Sequence, residues 1–184
     1  TVHRYDVASG NKDWIQYTNS SLMDGVTVKL DYVPSDGTTD IQSSTAGTIS
    51  YTGIEGLTIG LGAGEDNGEG ASASIDVTVA NITYAADAFT VGWSTSESDS
   101  NAADSDITLT AMGISYAVSD DLSVSLNQST HEIEGSSDQD SFGISASMTM
   151  GSMTLSANHN SIENVGGTSG TDRSGYALGL SFAF

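Results

Sequence analysis

The side chains of this chain that could do chemistry are three histidines, one crowd of acids and a few charges phased against apolar residues. His3, His131 and His159 fall at a chain end, in a loop and late in a strand, with no serine or acid at triad spacing. Isolated imidazoles of this kind are ordinary polar residues, so no enzyme is expected. His159 keeps the phase of the apolar side of its strand, which suits an interfacial or subunit contact. Glu65, Asp66 and Glu69 crowd oxygen ligands into one glycine-rich loop, the hard-donor chemistry of Ca²⁺ or Mg²⁺. Their spacing is not that of an EF-hand, and a solvated acidic surface accounts for the same residues. Lys29, Asp31 and Asp76 are phased to the polar side of their strands; if that side lines a channel, they bias its ion preference.

Composition narrows the partners. Four Lys plus Arg stand against 24 Asp plus Glu, a formal charge of -20, which repels a nucleic-acid backbone. The absence of cysteine removes disulfide scaffolds, thiolate metal sites and thiol nucleophiles together. No run of about 18 apolar residues could form a membrane-spanning helix, and no basic, apolar leader is visible. The chain begins at Thr1, as expected of a mature exported form or of a longer precursor without its front.

These side chains must be positioned by strands, because helical periodicity is poor and alternation at period two recurs throughout. Eleven strands are expected. Their apolar sides run from Ile15 and Tyr17, and Val28 and Leu30, to Leu155 and Ala157 and the terminal strand. The phase slips once between Val79 and Ile82 and once between Leu109 and Ile114, where bulges are expected to restore the facing. Short connections (SLMDG, GIEG, AADA, VSDD, MGS) alternate with long acidic ones (PSDGTTD, GEDNGEG, STSESDSNAADSD, STHEIEGSSDQD, SIENVGGTSGTDR). Tyr17, Tyr51, Tyr84 and Tyr116 each precede a short connection, at spacings of 34, 33 and 32 residues. With Phe182 and Phe184 they would form an aromatic girdle at one membrane interface. The opposite sides carry mainly Ser, Thr and Gly, which suits a water-filled lumen or the solvent face of a soluble sandwich.

The closing stretch, GYALGLSFAF, puts Tyr176, Leu178, Leu180, Phe182 and Phe184 on one side and tiny residues on the other. Ending on phenylalanine, it resembles the C-terminal strand of Gram-negative outer-membrane proteins. At the other end, RYDVASGNKDWIQYTNSSLMDGVTVKLDY (4 to 32) resembles the segment after the constriction loop of trimeric general-diffusion porins, with Arg4, Tyr17, Gly25 and Tyr32 in the matching places. That family has a Ser-Pro pair where this chain has Thr18, Asn19 and Ser20.

The resemblance implies an all-β, antiparallel, up-and-down transmembrane barrel, about 11 strands of a sixteen-stranded whole. Residues 1–10 would end the constriction loop, and 11–184 would be strands six to sixteen of a single barrel domain. A complete twelve-stranded barrel is the competing count. The implied function is passive diffusion of small hydrophilic solutes and ions through a homotrimer in the outer membrane. Pore-lining residues would be Arg4, Lys29, Asp31 and Asp76, with mild cation selectivity from the acidic rim. No cofactor is expected; Ca²⁺ or Mg²⁺ at the acidic loops is the one candidate ligand. The alternatives are a surface-structural or adhesive barrel binding divalent cations, lipopolysaccharide, a phage or a surface layer, and a soluble β-sandwich.

Overall fold

The computed structural model describes residues 14–35, 43–67, 74–101 and 106–183. Within them the chain runs as β1 (Ile15–Asn19), β2 (Val26–Val33), β3 (Ser44–Tyr51), β4 (Leu57–Asp66), β5 (Ile75–Ala86) and β6 (Phe89–Ser100). It continues as β7 (Ile107–Ala117), β8 (Leu122–Ile133), β9 (Gln139–Met150), β10 (Met153–Glu163) and β11 (Arg173–Phe182), with one 3-10 turn at Val165–Gly167. All eleven strands form one sheet, each paired antiparallel with its sequence neighbours. A sandwich needs two layers, and this is one.

In three of the five short connections a glycine with positive φ, Gly25, Gly56 or Gly151, sits where the chain reverses, and in a fourth Asp87 takes that conformation at φ +49°. Gly56 has φ +74°, and a Cβ there would collide with the Ala85 carbonyl oxygen. Its own carbonyl accepts the Ala85 N–H at 2.9 Å, tying the β3–β4 turn to the neighbouring hairpin.

Register gives the inclination of the strands. The row of paired residues that starts at Val26, the first residue of β2, passes through Tyr51, Ile82, Met112 and Phe142 and reaches β11 at Ser174. Ser174 lies eight residues before Phe182, the end of β11 beside the short turn of β9–β10. Eight residues of rise over nine strand-to-strand steps correspond to a tilt of roughly 30° at ordinary strand spacings, near that of transmembrane barrels.

Because paired residues in an antiparallel ladder point the same way, register also sorts every side chain onto one of two faces. One face carries Tyr17, Leu30, Ile49, Leu61, Ile82, Trp93, Ile114, Leu126, Ile144, Leu155 and Leu180. No apolar side chain among the described residues is buried, and most of these are open to the surroundings. In water such a sheet would have no core. The apolar character extends about four outward residues from each short turn, a band of roughly 20 Å once the tilt is allowed for, comparable with the lipid-facing belt of membrane barrels.

Above that band the pattern reverses, and here the structure corrects the sequence. β5 and β7 pair without interruption through Val79 to Ile82 and Leu109 to Ile114, so neither expected bulge exists. Ile75, Val77, Val79, Ile107 and Leu109 therefore lie on the face of Lys29, while Asp76, Thr78, Glu97, Asp99 and Thr108 lie on the face of the tyrosines. Polar stretches that look like loops are strand: β6 continues to Ser100, β8 to Ile133, and β9 resumes at Gln139. Serine, threonine and acids can face outward there because that part of the wall stands above the apolar band.

The split within one face is testable in lipid vesicles. Ile82→Arg is expected to lower the unfolding free energy by about 2 to 4 kcal/mol, and Asp76→Arg, on the same face but six residues higher, by less than about 1 kcal/mol. Equal losses in equilibrium urea unfolding would contradict the placement of the band.

The candidate pore wall

The face opposite the tyrosines is built from small and hydroxylated residues. Its rows include Thr48 beside Gly62, Thr83 beside Gly92, Ser125 beside Ser145, and Ser147 beside Ser156. Where the hydroxyls meet they hydrogen-bond laterally, as in Ser125 Oγ to Ser145 Oγ at 2.7 Å and Thr149 Oγ1 to Thr154 Oγ1 at 3.2 Å. Gly143 lies between Asn127 and Asn160, and a Cβ there would press on both side-chain amides, so the glycine lets two larger polar groups share one row. Short side chains keep the wall thin, and polar ones hold water against it.

Charges on this face are few. Among the described residues they are Lys29 and Asp31 on β2, Asp66 at the end of β4 and Arg173 at the start of β11. Asp31 accepts a hydrogen bond from Gln16 Nε2 at 2.7 Å and Asp66 one from Ser44 Oγ at 2.8 Å. Lys29 and Asp31 thus lie on the face expected of them. Asp76 does not: its register partners are Glu65 and Asp99, on the tyrosine face. Ile75, Val77 and Val79 point inward on β5, and strand alternation then turns Asp76 outward. Arg4 and His3 lie outside the described residues.

The acidic loop also reads differently in three dimensions. Glu65 and Asp66 are consecutive residues of β4 and point to opposite faces, so their carboxylates do not converge on one ion. Glu69 lies outside the described residues, and among those described no three His, Asp or Glu side chains are grouped to ligate a metal. The alternation of a strand, where a loop was expected, separates them.

Tyr17, Tyr51, Tyr84, Tyr116 and Phe182 share the apolar face and each sits at or near the short-turn end of its strand. Phe184 lies outside the described residues. Phe89 belongs with them, stacked on Tyr116 with centroids 4.4 Å apart and planes 25° apart. Its place immediately after a short turn, rather than before one, hid it from a pattern based on the preceding tyrosine. His159 also lies on this face, stacked on Tyr176 at 4.3 Å with Nδ1 3.1 Å from the Gly175 carbonyl oxygen. His131 is on the opposite face, between Leu109 and Gln139.

This architecture recurs in solved structures at low sequence identity. The chain is similar to an anion-selective porin from Comamonas acidovorans, with a TM-score of 0.76 and 14% identity over 94% of this chain. It is also similar to OmpT, an outer-membrane protein of Vibrio cholerae, with a TM-score of 0.59 and 14% identity over 97% of this chain. A form of OmpT lacking loop L8 matches equally, at 0.59 and 14% over 92% of this chain. The chain spans 59% of the Comamonas protein and 67% and 62% of the two OmpT chains. Identities this low establish the barrel fold alone. No curated protein sequence matches the chain. The family model of the Gram-negative porins matches residues 1–130, well over half of the length, and the chain belongs to that outer-membrane family.

Proposed function

We propose that the eleven strands form wall of a water-filled channel through which small hydrophilic solutes and ions diffuse passively. The observation that carries this reading is the Ser, Thr and Gly face, which runs from β2 to β11 opposite an apolar face. Water in a lumen satisfies those hydroxyls, whereas a dry interior would leave each unpaired one at a penalty of roughly 1 to 3 kcal/mol. Diffusion of this kind requires no catalytic residue and no cofactor. A homotrimer is the assembly that the porin family membership supports.

Mild cation preference is part of the proposal, and its source is the mouths rather than the wall. On the strand part of the inner face two bases, Lys29 and Arg173, balance two acids, Asp31 and Asp66. The short turns at one end carry Asp24, Glu55, Asp87, Asp120 and Asp121, and the other end carries Glu134, Asp138 and Asp172. Acidic rims concentrate cations at the entrances. The anion selectivity in the description of the Comamonas porin belongs to that protein; at 14% identity a shared fold leaves the charges free to differ.

One observation favours a surface role beside the channel. Glu65, Asp76 and Asp99 face one another directly across β4, β5 and β6 above the apolar band, a like-charge row that repels itself. Lipopolysaccharide carries anionic groups at that height, and Ca²⁺ or Mg²⁺ shared between the two would relieve the repulsion.

Planar-bilayer recordings of the detergent-extracted native assembly are expected to show stepwise openings in threes. Potassium should be preferred over chloride at about 0.1 M salt, with the preference fading towards 1 M as the screening length falls from about 10 to about 3 Å. Silence from an assembly of intact mass would sink the channel, and preference for chloride would sink the acidic-mouth account. For the surface role, chelation by EDTA is expected to lower the melting temperature of the protein in lipopolysaccharide-containing membranes; an unchanged melting temperature would remove it.

A further inference from the structure

The reversal of polarity in the upper wall leaves an apolar hollow on a face that is otherwise polar. In one inward row Asp31, Ala46, Gly64 and Val77 follow one another on β2 to β5, and in the next row up Val33, Ser44, Asp66 and Ile75 do the same. The two smallest side chains, Ala46 and Gly64, are paired side by side in the middle of the first row. They form a floor, while Val33, Ile75 and Val77 rise around it and the carboxylates of Asp31 and Asp66 stand at its margin. The result is a pocket of about 200 Å³ near the long-connection end of the strands.

We propose that this pocket binds small amphipathic cations, an ammonium or guanidinium joined to an apolar group the size of one ring or short alkyl chain. The inference rests on the channel reading and deepens it by naming a class of solute that the wall holds briefly. The two requirements meet in few places on this face. An apolar group displaces water from Ala46, Gly64, Val33 and Val77, which have no polar groups to keep it. The cation is matched by two carboxylates that each accept one neutral hydrogen bond, from Gln16 and from Ser44, and keep further lone pairs free. Among the described residues no ion pair neutralises either of them; Lys29, two residues below Asp31 on the same face, is the nearest base along the strand. Ser44 is itself 7% exposed, so the donor that orients Asp66 is anchored. An anion meets Asp31 and Asp66 unfavourably, and a neutral polar solute can hydrogen-bond to them or to Ser98 but gains no charge attraction and leaves the apolar floor uncovered.

Calorimetric titration into the detergent-solubilised full-length protein tests the pocket, with benzyltrimethylammonium as the probe. Saturable binding is expected. Tetramethylammonium, which has the charge without the ring, and benzyl alcohol, which has the ring without the charge, should each bind at least about tenfold more weakly. Asp66→Asn should weaken the probe by about tenfold, and Ala46→Leu, which fills the floor, by at least as much. Circular dichroism and heat-resistant trimer content check that both variants fold; Leu155→Met, on the opposite face and far along the sheet on β10, serves as a variant that should leave binding unchanged. Absence of saturable heat overturns the proposal, as does binding that survives Ala46→Leu in a folded protein or is matched by benzyl alcohol. The channel reading is judged separately by conductance: a silent bilayer would sink it, while the titration still decides the pocket.

Discussion

A single-layer sheet in which no apolar side chain among the described residues is buried can persist only if something other than water covers its apolar face. Everything else in this chain follows from that constraint. The eleven strands satisfy one another's backbone groups laterally, so the sheet needs no second layer for hydrogen bonding. It needs one for burial, and the bilayer supplies it. Phenolic and phenyl side chains gather where the short turns meet the boundary, because a ring that is apolar in body and polar at its tip is stable there and in neither bulk phase. On the other face, freedom from packing lets serine, threonine and glycine dominate, since no partner layer demands bulk.

The lower half of this arrangement was legible in the sequence. Alternation at period two identified the strands, and tyrosines before short connections put Tyr17, Tyr51, Tyr84 and Tyr116 at one edge. The same rule failed in the upper halves of β5 and β7. Reading every run of isoleucine and valine as outward assumes that the outside is apolar at every height. Above the band it is not, so Asp76 and Asp99 point out while Val77 and Leu109 point in. The continuous ladders of β5 and β7 leave no place for the two expected bulges. For the same reason Ser94 to Ser100 looked like loop: its alternation of Ser with Thr, Glu and Asp is a strand with water on both sides. Adjacency along a loop suggests that Glu65 and Asp66 converge as ligands, and in a strand adjacency means divergence.

The wall's chemistry is accordingly uneven along its height. Low down it is hydroxylated and nearly uncharged, with nothing to hold a passing solute. Higher up it mixes apolar side chains with Asp31 and Asp66. The fold is shared at 14% identity with a porin described as anion-selective. Strand pairing and the lipid-facing band are common property; the charges at rims and upper walls are free to vary.

The most direct test of the account is the environment of Trp93, which lies on the tyrosine face beside Ile82 and Met112, within the apolar band. The chain has two tryptophans, so Trp14→Phe leaves Trp93 as the only indole. Reconstituted into vesicles, this variant's fluorescence should be strongly quenched by lipids brominated along the acyl chain and little affected by aqueous iodide. Quenching by iodide with none by brominated lipid would put that face in water, and the account of a bilayer-covered sheet would be wrong.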